Sequence, residues 1–308
     1  MDFTLQKYTE LIKILITRGY NFIPVMDAPA PKNQASKLVI LRHDVDLHPD
    51  RSEVTARIEA DLGIKGTYYF RIVKQSWDEN IIKRIAGLGH EIGYHYEDLS
   101  LLENERSKNN LSQIQFIELA FHRFTENLEK LRRLAPIKTI CMHGSPLSKW
   151  DSRLLWKYFS YKDLEVDKEP YFDLTFENIL YLTDTGRRWN GKNVSIRDKM
   201  VIPGQGDKSS MGAEDINSLD PFNDWAVNPL KGSAMNMTQN AADFQKKYNF
   251  RNTNDIITSA ISNDLPDNIL LTFHPQRWTG RKIPWVKELV WQNIKNIAKY
   301  SLNKINQV

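Results

Sequence analysis

Leu41-Arg42-His43-Asp44-Val45-Asp46-Leu47-His48-Pro49 follows the apolar run Lys37-Leu38-Val39-Ile40. A short run of aliphatic and β-branched residues reads as a buried strand. This one ends in two carboxylates, two histidines and an arginine, which are costly to bury without partners. A core strand that ends in this way delivers chemistry to a rim, and the rest of the chain can be tested against that idea.

Strand and helix patterns alternate on either side of this stretch. Leu5, Tyr8, Leu11, Ile12 and Leu15 follow helical spacing, with Thr4 as a cap and Gly19 as a stop. The strand itself is predicted from Lys37 to about Arg42, and Pro49 and Asp50 then suit the first turn of a helix closed by Gly63. Further strands are predicted at Gly66–Arg71, Glu91–Tyr94, Thr139–Met142, Ile179–Leu182 and Asn268–Phe273. Helices are predicted at Trp77–Ala86 and Leu111–Leu134. Alternation of this kind argues for a parallel sheet or barrel of α/β class. The stretch 201–250 breaks the rhythm, being rich in Gly, Asn, Ser, Asp and Pro. It is expected to be an insertion in a single domain spanning 1–308, either a lid over the site or a surface loop.

In this architecture chemistry sits at the C-terminal ends of the strands. Beyond the predicted strands come His43, Asp44, Asp46 and His48, then Arg71, then His95, Glu97 and Asp98. His143, Gly144 and Ser145 follow the fourth strand, Asp184, Arg187 and Arg188 the fifth, and His274 the last. Asp44 and Asp46 lie two apart, so in extended chain they share a face. Two such carboxylates repel unless a cation lies between them or one is protonated. Carboxylate with imidazole is a ligand set for zinc or a similar divalent ion. Asp50 reads as a helix cap and His90 as a core histidine, while His48 is open between loop and site.

Composition sets the bounds. The chain has 308 residues, 41% hydrophobic and 26% charged, with a formal net charge of +4 and one cysteine. That charge does not call for nucleic acid. The lone cysteine excludes an internal disulfide. No run is long and apolar enough to span a membrane, and the first residues carry no signal-peptide pattern, so a cytoplasmic protein is expected.

The motifs carry a resemblance. HDVD, then TYYFR, GHEIGYH, CMHGSP, TDTGRRW and LLTFHPQRW, in that order between Val39 and Trp278, resemble the polysaccharide deacetylase superfamily (NodB homology, carbohydrate esterase family 4). The motifs are similar to those of a divergent bacterial branch of that superfamily, often found with surface-polysaccharide genes. The resemblance implies a distorted (β/α) barrel of about seven strands and metal-assisted removal of an N-acetyl group from a sugar. Matched residue by residue, Asp44 would be the base, Asp46 and His95 metal ligands, and His274 the acid. The family's second metal histidine falls at Leu99, so the third ligand is expected from His143 or Glu97. Gly144 or Ser145 would supply an oxyanion-binding N–H. Arg71, Arg187 and Arg188 are candidates for a substrate phosphate or carboxylate, and Trp189 and Trp278 for sugar stacking. For a cytoplasmic enzyme the expected substrate is a nucleotide-sugar or another carbohydrate intermediate. Hydrolysis of a non-sugar amide, and an inactive carbohydrate-binding protein, stay open as alternatives.

Overall fold

In the computed structural model the described residues are 1–29, 37–144, 148, 150–174, 178–189, 200–201, 235–236 and 239–305. Most of the stretch 201–250, and Ser145, lie outside them. Besides a short two-stranded pairing of Met200–Val201 with Met235–Asn236, the strands are β1 (Asn21–Ile23), β2 (Leu38–Val45), β3 (Thr67–Phe70), β4 (Glu91–Tyr96), β5 (Ile137–Met142), β6 (Leu180–Thr183) and β7 (Asn268–Phe273), and these seven belong together. They form one sheet in the order β5-β4-β3-β2-β7-β6, with β1 beside the first half of β2. Every ladder is parallel. Among the described residues no ladder joins β5 to β6. The expected barrel therefore stands as an all-parallel, seven-stranded sheet with helices around it. None of the described helices is long and apolar enough to cross a membrane.

Local chemistry sets the helices. The Thr4 hydroxyl caps α1 (Leu5–Thr17), and Tyr8, Leu11, Ile12 and Leu15 form its buried face. Gly19 ends it in a left-handed turn, φ 84°. Pro49 starts α2 (Pro49–Asp61), and Asp78 caps α3 (Glu79–Gly87) through the Ile81 N–H. A reciprocal Ser112–Gln115 capping box opens α4 (Gln113–Arg132) two residues later than the spacing suggests. Asn252 and Asp255 form a second box for α5 (Thr253–Ile261). The last helix is α6 (Lys282–Ile305).

β2 is longer than its apolar run. It continues through Arg42, His43 and Asp44 to Val45, all buried, because each of these charged groups finds a partner. Alternation then divides them between two faces. On one face His43 meets α1 and α2: its Nε2 is 2.8 Å from the Glu59 carboxylate and its Nδ1 3.2 Å from the Thr67 carbonyl. The Tyr8 hydroxyl donates to the same carboxylate. His90 lies nearby as the expected core histidine, accepting the Gly66 N–H and facing the Ala56 carbonyl. Arg42 and Asp44 occupy the other face, where the site is built.

Register brings Tyr69 of β3 beside Gly93 of β4 and Asp44 of β2. A Cβ on Gly93 would fall 2.3 Å from the Tyr69 ring, whose hydroxyl is held by Thr139. The ring lies within the sheet's core and has nowhere to move. Gly93→Ala is therefore expected to destabilise the fold by about 1–3 kcal/mol in denaturant titration. Gly87→Ala, where nothing lies within 4 Å, serves as the neutral control. Equal midpoints for the two variants would contradict this packing.

Candidate metal centre

The chain turns sharply after β2. The Asp46 N–H donates to the Asp44 carbonyl at 3.1 Å, and both carboxylates reach His95 of β4. Its Nε2 lies 3.8 Å from Asp44 Oδ2 and 3.7 Å from Asp46 Oδ1. His143 extends β5 by one residue through its N–H to the Tyr96 carbonyl, and its Nε2 lies 3.5 Å from Asp46 Oδ1. One ligand atom from each of Asp46, His95 and His143 lies within 4.8 Å of the other two.

The hydrogen bonds fix what these atoms offer. His95 Nδ1 lies 2.9 Å from the Cys141 carbonyl, and His143 Nδ1 lies 2.8 Å from Glu97 Oε2. Both partners are acceptors, so each Nδ1 carries a hydrogen, and the neutral form of either ring presents a bare Nε2. Asp46 Oδ1 is buried and without a hydrogen-bond partner. With both rings in that form, three lone-pair donors face one another. A buried acceptor left this way is costly, and a cation satisfies all three at once. Asp46, His95 and His143 can hold a metal ion, and one carboxylate with two imidazoles suits a zinc-like ion.

Protonation agrees with this. Burial pushes His95 down to about 4, aided by His143 and Arg42 against the pull of Asp44 and Asp46; it is neutral near pH 7, as a ligand must be. Burial alone would raise Asp46, but His143, His274, His95 and Arg71 outweigh it and hold the carboxyl below its usual range.

Of the two candidates for the third ligand, the geometry selects His143. Glu97 has its Oε2 on His143 and its Oε1 on Arg71 Nε at 2.6 Å. It holds the His143 ring and lies outside the cluster of Asp46, His95 and His143. Leu99 is fully buried core. The expectation for Arg71 is corrected as well: its guanidinium is bound to Glu97 and, at 3.2 Å, to the Asp46 carbonyl. It braces the centre and has no free fork for a substrate anion.

Asp44 is clamped by Arg42, Nε to Oδ1 at 2.7 Å and Nη2 to Oδ2 at 2.7 Å. The pair is formed within one strand by residues two apart. Burial opposes ionisation of Asp44, yet Arg42, then His95 and His274, hold it below the usual carboxylate range. On the far side His274 Nδ1 lies 2.6 Å from Asp184 Oδ1. Asp184 also takes Arg277 at 2.7 Å and the Trp278 indole N–H at 2.6 Å. His274 Nε2 then lies 3.8 Å from Asp46 Oδ2, which also accepts from Gln276 at 3.1 Å. The two oxygens of Asp46 are thereby divided, Oδ1 to His95 and His143, Oδ2 to His274 and Gln276.

Several sequence candidates fall elsewhere. Trp278 has no exposed surface; it packs on Phe3, Tyr8 and Phe273 with its N–H on Asp184. Trp189 stacks on Phe3 and donates to Thr253. Neither ring has a face for a sugar, because the segment leading into α1 covers both. Arg187 is buried between the Phe3 and Trp285 rings at 5.0 and 4.9 Å, leaving Arg188 as the exposed arginine of the pair. His48 is exposed at the head of α2, away from the cluster. Gly144 follows His143 directly and is partly buried. Sequence reasoning missed the roles of Arg42, Asp184, Gln276 and Arg277. For Arg42 the signal was present, since positions 42 and 44 share a strand face. No protein-family model, curated protein or solved structure matches the chain.

Protein grown with zinc and purified without chelator is expected to carry about one ion per chain by elemental analysis. Asp46→Ala and His95→Ala should lose it while remaining folded. Glu97→Gln, which keeps shape but weakens the hold on His143, should lower zinc affinity about 10–100-fold. Affinity unchanged in that variant would remove Glu97 from its orienting role.

Proposed function

We propose that the protein is a metal-dependent hydrolase that removes an N-acetyl group from a sugar or sugar intermediate of surface-polysaccharide synthesis. The observation that carries this reading is the flanking of the three-ligand cluster by a carboxylate and a histidine, each fixed by its own buried ion pair. The motif order supports the carbohydrate deacetylase class and, with it, a distorted (β/α) barrel whose mouth holds Asp44, His95, His143 and His274. A cytoplasmic placement directs the reading towards nucleotide-sugars and lipid-linked intermediates.

Asp46, His95 and His143 would hold the ion, zinc or a similar divalent metal. Such an ion supplies a Lewis acid that polarises the amide carbonyl and acidifies a water. Asp44 accepts the proton of the attacking water; Arg42 keeps it ionised and aimed, and leaves a lone pair free on each oxygen. The N–H of Gly144, next to His143, or of Ser145 would stabilise the oxyanion. His274, held through Nδ1 by Asp184, gives a proton from Nε2 to the leaving nitrogen as the C–N bond breaks. Acetate and a free amine result. The same arrangement serves a non-sugar amide, which the substrate panel below separates from a sugar. A carbohydrate-binding relic would have no need to keep both Asp44 and His274 in fixed, ion-paired geometry.

Acetate release from a panel of N-acetylated nucleotide-sugars, oligosaccharides and simple amides tests the reading. Asp44→Asn and His274→Ala are each expected to lower kcat by ~10²–10⁴-fold with zinc content unchanged. The double variant should lose less than the product of the two, since both act on one reaction coordinate. Undiminished release by Asp44→Asn would remove that residue from the mechanism. No release from any panel member by the zinc-loaded wild type would favour the binding protein.

A further inference from the structure

Helix α6 turns Trp285 inwards onto Arg187 and leaves an apolar stripe on its outer side. Its inward side also carries Gln292, which donates to Asn296 Oδ1 at 2.9 Å, and Asn296, which donates to the Gly186 carbonyl at 3.0 Å. Its outward side carries Ile283, Val286, Val290, Trp291 and Ile294, each more than half exposed. Ile283, Val286, Val290 and Ile294 follow one another by three, four and four residues, so they form a single stripe. Scattered exposed apolar residues are ordinary, but a continuous stripe on one helix marks a docking surface. Among the described residues none covers it.

Charge selects the occupant. From 281 to 305 the sequence holds six basic residues (Arg281, Lys282, Lys287, Lys295, Lys299 and Lys304) against one acidic, Glu288. The whole chain has a formal net charge of only +4, so this helix carries more positive charge than the balance of the molecule. A second copy packed on the same stripe would bring two basic helices together, and like charges across a contact are unfavourable. An anionic lipid surface has the opposite sign. Aliphatic residues with a tryptophan on one face and lysines around them are the composition of a helix that lies in a membrane interface. Long lysine side chains can bury their stems and keep the ammonium at the headgroups.

We propose that α6 docks the protein onto an anionic lipid surface through Ile283, Val286, Val290, Trp291 and Ile294, with Arg281, Lys282 and Lys287 contacting the headgroups. The helix is pinned to Gly186, two residues from the Asp184 that holds His274. The inference does not depend on the hydrolase reading, and its test needs no turnover.

The test is sedimentation of the full chain with vesicles of phosphatidylcholine alone and of phosphatidylcholine with about one third phosphatidylglycerol. Wild type is expected to partition onto the anionic vesicles at least ~10-fold more strongly, and less so as salt rises. The paired substitution Val290→Asp with Ile294→Asp should reduce that partition at least ~10-fold. Both positions are exposed, so its thermal midpoint and zinc content should match wild type. Equal partition of wild type and variant would overturn the proposal, as would a wild type that binds neither vesicle. A wild-type dimer that binds no vesicle and that the paired substitution dissociates would assign the stripe to a second copy instead.

Discussion

Asp46 Oδ1 is a buried carboxylate oxygen with no hydrogen-bond partner, and it faces the Nε2 atoms of His95 and His143. Much of the surrounding structure keeps that arrangement in place. Cys141 and Glu97 each hold an Nδ1 hydrogen, which turns the bare nitrogens inwards. Arg71 ties Glu97 to the Asp46 turn. Without these outer partners the rings could rotate or take the other tautomer, and the convergence of acceptors would dissolve.

β2 serves both sides of the sheet with successive residues. His43 locks the strand against α1 and α2 through Glu59 and Tyr8, while Arg42 and Asp44 face the centre. Each charge on this strand is paired inside the protein. Removing one partner of such a pair leaves a buried charge uncompensated, at a cost of about 3–5 kcal/mol. The site is thus supported by the Arg42–Asp44 ion pair on one face of the strand and the His43–Glu59 contact on the other, and the aim of Asp44 is tied to the stability of the sheet.

The parallel α/β class and the gathering of polar groups at one edge were legible because strand ends are marked by short-range composition. Asp46, His95 and His143 could be named for the same reason. The choice between His143 and Glu97 was not legible, since it turns on which of them reaches the other's ring nitrogen across β4 and β5. Trp189 and Trp278 misled because an exposed-looking aromatic at a rim is buried here by Phe3, nearly the whole chain away in sequence. The end of β2 was placed too early because Arg42 and Asp44 satisfy each other, and a pattern of hydrophobicity cannot see a salt bridge. Most of the stretch 201–250, and Ser145, lie outside the described residues.

The central claim is that a cation completes Asp46, His95 and His143. X-ray absorption at the zinc edge of the metal-loaded protein tests it most directly. The account predicts a spectrum of nitrogen and oxygen neighbours with the multiple-scattering signature of two imidazoles, reduced to one in His143→Ala and unchanged in amplitude in His274→Ala. A spectrum of water oxygens alone, or an imidazole signature that His143→Ala leaves intact, would contradict it.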